Sequence, residues 1–116
     1  MNLKINEDKR GKFMEVFHLL NDGQISYCTI NPKETRGGHY HKRKKEIFCV
    51  LEGEAVIHLP GKRILVNGNE PELVEILTGE VHSIQNFGLR DVKFLIWCSE
   101  IFNPKDDDTF LPADVK

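Results

Sequence analysis

Two histidines one residue apart, His39 and His41, are followed by Glu46 and then by Gly53 in the stretch TRGGHYHKRKKEIFCVLEG, residues 35–53. Imidazole nitrogens and a carboxylate are donors that suit divalent transition metals, and imidazole is also the side chain that titrates nearest neutral pH. A third imidazole, His82, lies in TGEVHSIQN, between Gly79 and Asn86. The His-x-His pair alone fits ligands, acid–base groups and bystanders equally well. Its combination with Glu46, Gly53, Gly79, His82 and Asn86 is far more specific. His58, in AVIHLPG, is a further acid–base candidate if the face it shares with Val56 points inward; the alternative is a half-buried histidine satisfied near a turn. Tyr40 should face away from its two flanking histidines in a regular strand. Tyr27 and Glu15 are polar groups inside apolar segments that nothing ranks.

These residues need elements to hold them, and the chain reads as short β segments broken by turn residues. KFMEVFHLL ends at NDG, QISYCTI ends at NP, and EIFCVLEG runs into EAVIHLPG. RILV, ELVEIL, VHSIQNF and DVKFLIWCSEIF follow, separated by NGNEP, TGE and a short polar turn. Segments of this length, rich in Val, Ile and Phe, predict an all-β sandwich or barrel, and no helical period persists beyond two turns. Alternation puts His39 with His41, Glu46 with Phe48 and Val50, and His82 with Ile84 and Asn86. Each candidate ligand thus stands at the start of a run whose same-face residues are apolar, as expected of a polar site at one end of a barrel interior.

The chain has 116 residues, 40% hydrophobic and 29% charged, which suits one soluble globular domain over residues 1–116. A formal charge of −2 gives no general attraction to nucleic acid or anionic lipid, so neither is expected as a partner. The longest apolar runs, such as FLIWC (Phe94 to Cys98), are too short to span a bilayer. The first residues, MNLKINEDKRGKF, carry charges where a signal peptide needs an apolar stretch, so a cytoplasmic location is expected. Cys28, Cys49 and Cys98 are scattered in apolar segments and read as buried thiols in a reducing compartment. The run KRKK, residues 42–45, and the acidic PKDDD near the end both read as solvated connections.

The two histidine stretches resemble the two signature motifs of the cupin superfamily. His39, His41, Glu46, Gly53, Gly79, His82 and Asn86 match, while Lys33 and Pro71 stand at the glycines that open the motifs and Leu77 at the proline of the second. The resemblance implies a small cupin-type β-barrel, a jelly-roll sandwich of two antiparallel sheets. It also implies that His39, His41, Glu46 and His82 ligate a divalent transition metal, zinc first, with manganese, iron or nickel also suited to these donors.

A narrower resemblance covers most of the chain. DKRGKFMEV, QISYCTINPKETRGGHYHKRKKEIFCVLEGEAVI, LTGEVHSIQNFG and FLIWCSEIFNPKDDDTF are similar to the C-terminal cupin domain of capsular-polysaccharide UDP-sugar reductase/epimerases. There the cupin epimerises C3 of a 4-keto-6-deoxy sugar and a reductase domain then reduces the C4 ketone. No Gly-rich dinucleotide loop is recognisable here, which leaves three readings: the cupin does the same job alone, it works with a separate sugar-nucleotide reductase as partner, or it serves another substrate. The nucleotide-sugar 3,4-ketoisomerases are more distantly similar; they share the RG-x-His-x-His opening, lack the acidic ligand and use the histidines as acid–base groups. Without a metal, His39 and His41 would take that role here. Arg36, within the shared RG, is the expected phosphate contact of a nucleotide-sugar substrate. Trp97 and Phe102 could stack on a base or sugar, or serve the core or an interface. A homodimer is implied as well. A non-catalytic metal- or small-molecule-binding module and a metal-dependent oxygenase stand as alternatives.

Overall fold

The computed structural model describes residues 2–112. Its elements are β1 (Ile5–Asp8), β2 (Gly11–Leu19), β3 (Gly23–Ile30), β4 (Thr35–His39), β5 (Glu46–Glu52), β6 (Glu54–Leu59), β7 (Lys62–Asn67), β8 (Leu73–Ile76), β9 (His82–Asn86) and β10 (Val92–Cys98). They form two antiparallel sheets, one in the order β1-β2-β3-β10-β5-β8 and the other β4-β9-β6-β7. This is the expected all-β cupin-type barrel, and the apolar segments read from sequence are its strands. β1 and β4 are the additions: β1 is charged and exposed, and β4 (TRGGH) has no apolar alternation to betray it.

Strict alternation builds the core. Phe48 and Val50 of β5, Ala55, Ile57 and Leu59 of β6, Ile84 of β9, and Val92, Phe94 and Ile96 of β10 point inward and pack as one cluster with Cys28 and Ile30 of β3. The same parity carries polar residues inward at one end: Glu46 is the first residue of β5 and His82 the first of β9, both buried. The outer face of the larger sheet is also apolar. Register aligns Phe17, Ile25, Trp97 and Ile47 in one row, and Tyr27, Leu95, Cys49 and Leu73 in the next.

Asn86 closes the opposite end of β9. Fully buried, its Nδ2 donates to the Ile30 and Arg90 carbonyls at 2.9 and 2.7 Å, and its Oδ1 accepts from the Gly88 N–H at 2.9 Å. It is therefore a pin between strands, a structural role for the amide that stands four residues beyond His82.

His58 does not point inward. On β6 the buried residues are Ala55, Ile57 and Leu59, so His58 falls with Val56 on the other face, where its Nε2 lies 2.9 Å from Gln85 Oε1. The segment is apolar on both faces, so alternation alone cannot say which one is core.

Candidate metal centre

Three segments bring the four donors together. His39 ends β4 and His82 begins β9, and the two are paired across the smaller sheet. Glu46 begins β5 in the larger sheet, and His41 lies in the connection between β4 and β5. One donor atom from each of these four residues lies within 4.8 Å of the others, a grouping that could hold one metal ion. The imidazole centroids of His39, His41 and His82 stand 4.9–5.1 Å apart.

The approach of His39 depends on Gly37 and Gly38, with φ of +98° and +83°. They form a β-bulge: Gly37 pairs with Ser83 and His39 with His82, so β4 spends one more residue than β9. A bulge of this kind re-aims the following side chain. A Cβ on Gly37 would lie 2.7 Å from the His82 carbonyl oxygen, so glycine is what allows β4 and β9 to approach here.

Hydrogen bonds orient two of the rings. His41 Nδ1 donates to the Asp108 carbonyl at 2.9 Å, and His82 Nδ1 donates to the Glu80 carbonyl at 3.0 Å. Each ring thereby turns Nε2 toward the cluster, the arrangement that metal-ligating histidines adopt. His41 Nε2 is 2.9 Å from Glu46 Oε1 and hydrogen-bonded to it. His82 Nε2 lies 3.1 Å from the same oxygen without hydrogen-bond alignment. It is the one buried side-chain polar atom without a hydrogen bond among the described residues. An orphaned buried nitrogen aimed at two imidazoles and a carboxylate fits a metal ion better than it fits a closed polar network.

The electrostatics agree with that fit. Burial, reinforced by His82 and His41, drives His39 down to about 4, so its ring is neutral near pH 7 and one of its nitrogens has a lone pair to offer. Burial alone would raise Glu46, but its hydrogen bond with His41 and the close approach of His82 outweigh it and hold the carboxyl at about 2. A neutral imidazole and an ionised carboxylate are the protonation states a divalent cation requires.

A cavity of about 200 Å³ opens on the cluster, with His39, Glu46 and His82 in its wall. Phe48, Ile84, Phe94 and Ile96 form its apolar floor, and Arg10, Phe13 and Arg36 line it on another side. Arg36 is half-buried; its Nε donates to the Thr29 carbonyl at 3.2 Å, and burial lowers its pKa from the ordinary value. Arg10 is gripped by Asp8, with Nη2 2.6 Å and Nε 3.1 and 3.2 Å from the carboxylate oxygens.

The structure gathers His39, His41, Glu46 and His82 in one cluster, places Arg36 in the wall of the cavity that His39, Glu46 and His82 also line, and leaves His58 outside both. Trp97 is on the outer face of β10 and donates Nε1–H to the Asp22 carbonyl at 2.8 Å, so it does not line the cavity. Arg10 and Asp108 are the residues that sequence reading missed. Arg10 sits in a charged turn between β1 and β2. Asp108 belongs to the run read as a solvated turn, yet it is buried at 2% exposure. The KRKK connection is largely exposed as expected, but its Lys44 is buried.

Comparison with known proteins agrees with this picture. The family model described as the polysaccharide biosynthesis C-terminal domain matches residues 6–110. The chain is 36% identical over 115 residues to a UDP-2-acetamido-2,6-beta-L-arabino-hexul-4-ose reductase of Pseudomonas aeruginosa, covering 94% of this chain and 31% of that protein. It superposes with a TM-score of 0.91 on the capsular polysaccharide assembling protein CapF of Staphylococcus aureus, at 34% identity over 95% of this chain and 34% of that one. The chain therefore spans about a third of the length of these relatives. A Klebsiella pneumoniae protein with a double-stranded β-helix domain shares the fold at 19% identity, with a TM-score of 0.72 over 91% of this chain and 87% of that one.

Proposed function

Because the chain belongs to the polysaccharide biosynthesis C-terminal domain family, we propose that it acts on a nucleotide-linked 4-keto-6-deoxy sugar and exchanges the proton at C3, as an epimerase or keto-isomerase. The observation that carries the reading is the cavity that joins the His39–Glu46–His82 wall to the two guanidinium groups of Arg10 and Arg36. At about 200 Å³ it is smaller than the usual pocket for a complete drug-sized ligand, and it suits one sugar ring with the nucleotide lying across the rim.

The C3–H bond of such a sugar is acidified by the C4 ketone, since its electron pair passes to the carbonyl oxygen as an enolate. Epimerisation requires removal of that proton, stabilisation of the enolate oxygen and return of a proton from the opposite face. His39, His41, Glu46 and His82 would hold the divalent metal, which when bound supplies Lewis-acid polarisation of an oxygen placed beside it. The apolar lining keeps water from the ring, and Arg36, held through Nε by the Thr29 carbonyl, would offer its terminal nitrogens to a phosphate oxygen. In a metal-free chain His39 and His41 would be the acid–base groups. Zinc is the metal we favour, with manganese, iron and nickel next. A reductase acting on the C4 ketone would complete the sequence. The apolar outer face of the larger sheet supports a homodimer, and the reaction would be cytoplasmic.

Incubation of a UDP-4-keto-6-deoxy sugar with the protein in heavy water is expected to place deuterium at C3, read by NMR. No incorporation across several nucleotide sugars, with the metal site loaded, would remove the reading and favour a non-catalytic binding module.

A further inference from the structure

We propose that Asp108 is a positioning residue of the metal centre, set on a strap of residues 99–110 that clasps the connection between His41 and Glu46. The inference rests on the metal reading of the four-residue cluster.

That connection, residues 42–45, is a run of four basic residues without strand structure, and both of its ends are ligands. Left alone it would be pushed apart by its own charge and would carry free backbone donors. Asp108 answers both needs. Its Oδ1 accepts from the N–H of Lys42 at 3.1 Å, and its Oδ2 accepts from Arg43 and Lys44 at 2.8 and 3.0 Å. Three successive amides thus converge on one buried carboxylate, and bonds from N–H groups to an ionised acceptor are the stronger class. Burial would raise the carboxyl pKa, but these amides hold it below the ordinary value. The backbone carbonyl of the same residue accepts from His41 Nδ1. One residue therefore fixes the ring of a ligand and the path of the chain that follows it.

The strap is anchored on either side of the connection. Ser99 pairs with Lys45, its N–H donating to the Lys45 carbonyl at 2.9 Å and its Oγ accepting from the Lys45 N–H at 2.9 Å. Phe110 and Tyr40 exchange two backbone hydrogen bonds of 2.9 and 3.0 Å. Arg43 reaches outward to Glu100 and Asp106. The His41–Glu46 segment is thus held from outside along its whole length, and the only buried carboxylate on the strap, among the described residues, is the one nearest the ligand.

The test compares full-length wild type, Asp108→Asn and Asp106→Asn. Asparagine keeps the size and tolerates the positive φ of +54° at position 108, but it removes the charge and one acceptor oxygen. Asp106→Asn makes the same charge change on the same strap, where the side chain has only a surface contact with Arg43. Zinc affinity is read by chelator competition, ligand geometry by the visible spectrum of the cobalt(II)-loaded protein, and folding by circular dichroism. Asp108→Asn is expected to weaken zinc binding about 10–100-fold and to shift the cobalt bands, while Asp106→Asn stays within about twofold of wild type. Affinity within twofold and an unchanged spectrum for Asp108→Asn would overturn the proposal, as would an equal loss in Asp106→Asn. An Asp108→Asn chain that stays unfolded with and without zinc assigns the residue to the fold instead, and also overturns it. Wild type that takes up no divalent ion removes the metal reading itself.

Discussion

Single residues divide into those that hold the cluster and those that hold the barrel. His82 has its Nδ1 tied to a carbonyl and its Nε2 buried without a hydrogen bond. His82→Ala should cut metal content from about one ion per chain to a trace by elemental analysis, a larger loss than the about 10–100-fold typical of residues behind a ligand. Unchanged occupancy would count against four-residue ligation. Asn86→Ala removes the three hydrogen bonds of a fully buried side chain and strands the Ile30 carbonyl, so chemical denaturation should show a loss of about 2–4 kcal/mol. Burial pushes the Cys28 thiol from 9.0 up to about 12, so at pH 8 almost none of it is thiolate. Cys28 should therefore resist a thiol reagent until the chain unfolds; its contribution to stability is complete below pH 9 and is lost as pH rises from there through about 12. The clustering of His39, His41, Glu46 and His82 was legible because imidazole and carboxylate are scarce inside apolar runs. Asp108 was not, because Asp106, Asp107 and Asp108 are the same residue type in a row, and a contact with residues more than 60 positions away selects which one is buried.

At the level of elements, the bulge in β4 converts backbone freedom into ligand geometry. Gly37→Ala and Gly38→Ala both force an L residue into positive φ, but only the first puts a methyl group against the backbone of β9. Gly38→Ala should cost about 1 kcal/mol in a thermal melt and keep its metal. Gly37→Ala should cost clearly more and also lower metal content, because relieving the clash must separate His39 from His82. Equal effects in the two variants would show that the close approach of the strands does not matter. Most strands were legible through alternation, since β5, β9 and β10 bury every second residue. β4 escaped because glycines have no side chain to alternate. The orientation of His58 stayed open for a related reason: Val56 and Ile57 are both apolar, and the pairing of β6 with β9 settles which of them faces the core.

For the whole molecule, two sheets meet at the candidate centre, with His39 and His82 from one and Glu46 from the other. The outer rows of the larger sheet, with Leu95 and Trp97 near the middle, leave an apolar surface of the kind that marks association. If the homodimer forms there, Leu95→Lys should halve the mass measured by light scattering and leave metal content unchanged; a dimer of unaltered mass would place the contact elsewhere. The class of fold was legible from segment length alone, whereas the order of strands was not, because it depends on pairings between distant parts of the chain. β10 is the tenth strand in sequence yet lies between β3 and β5, inside its sheet. A nascent chain that has not yet reached Val92 holds β1-β2-β3 and β5-β8 as two fragments with open edges, and open edges invite aggregation. The barrel must therefore close against the direction of synthesis, only after Cys98 has left the ribosomal exit tunnel. A frameshift between Ile76 and Val92 then yields two unpaired edges rather than a shortened barrel.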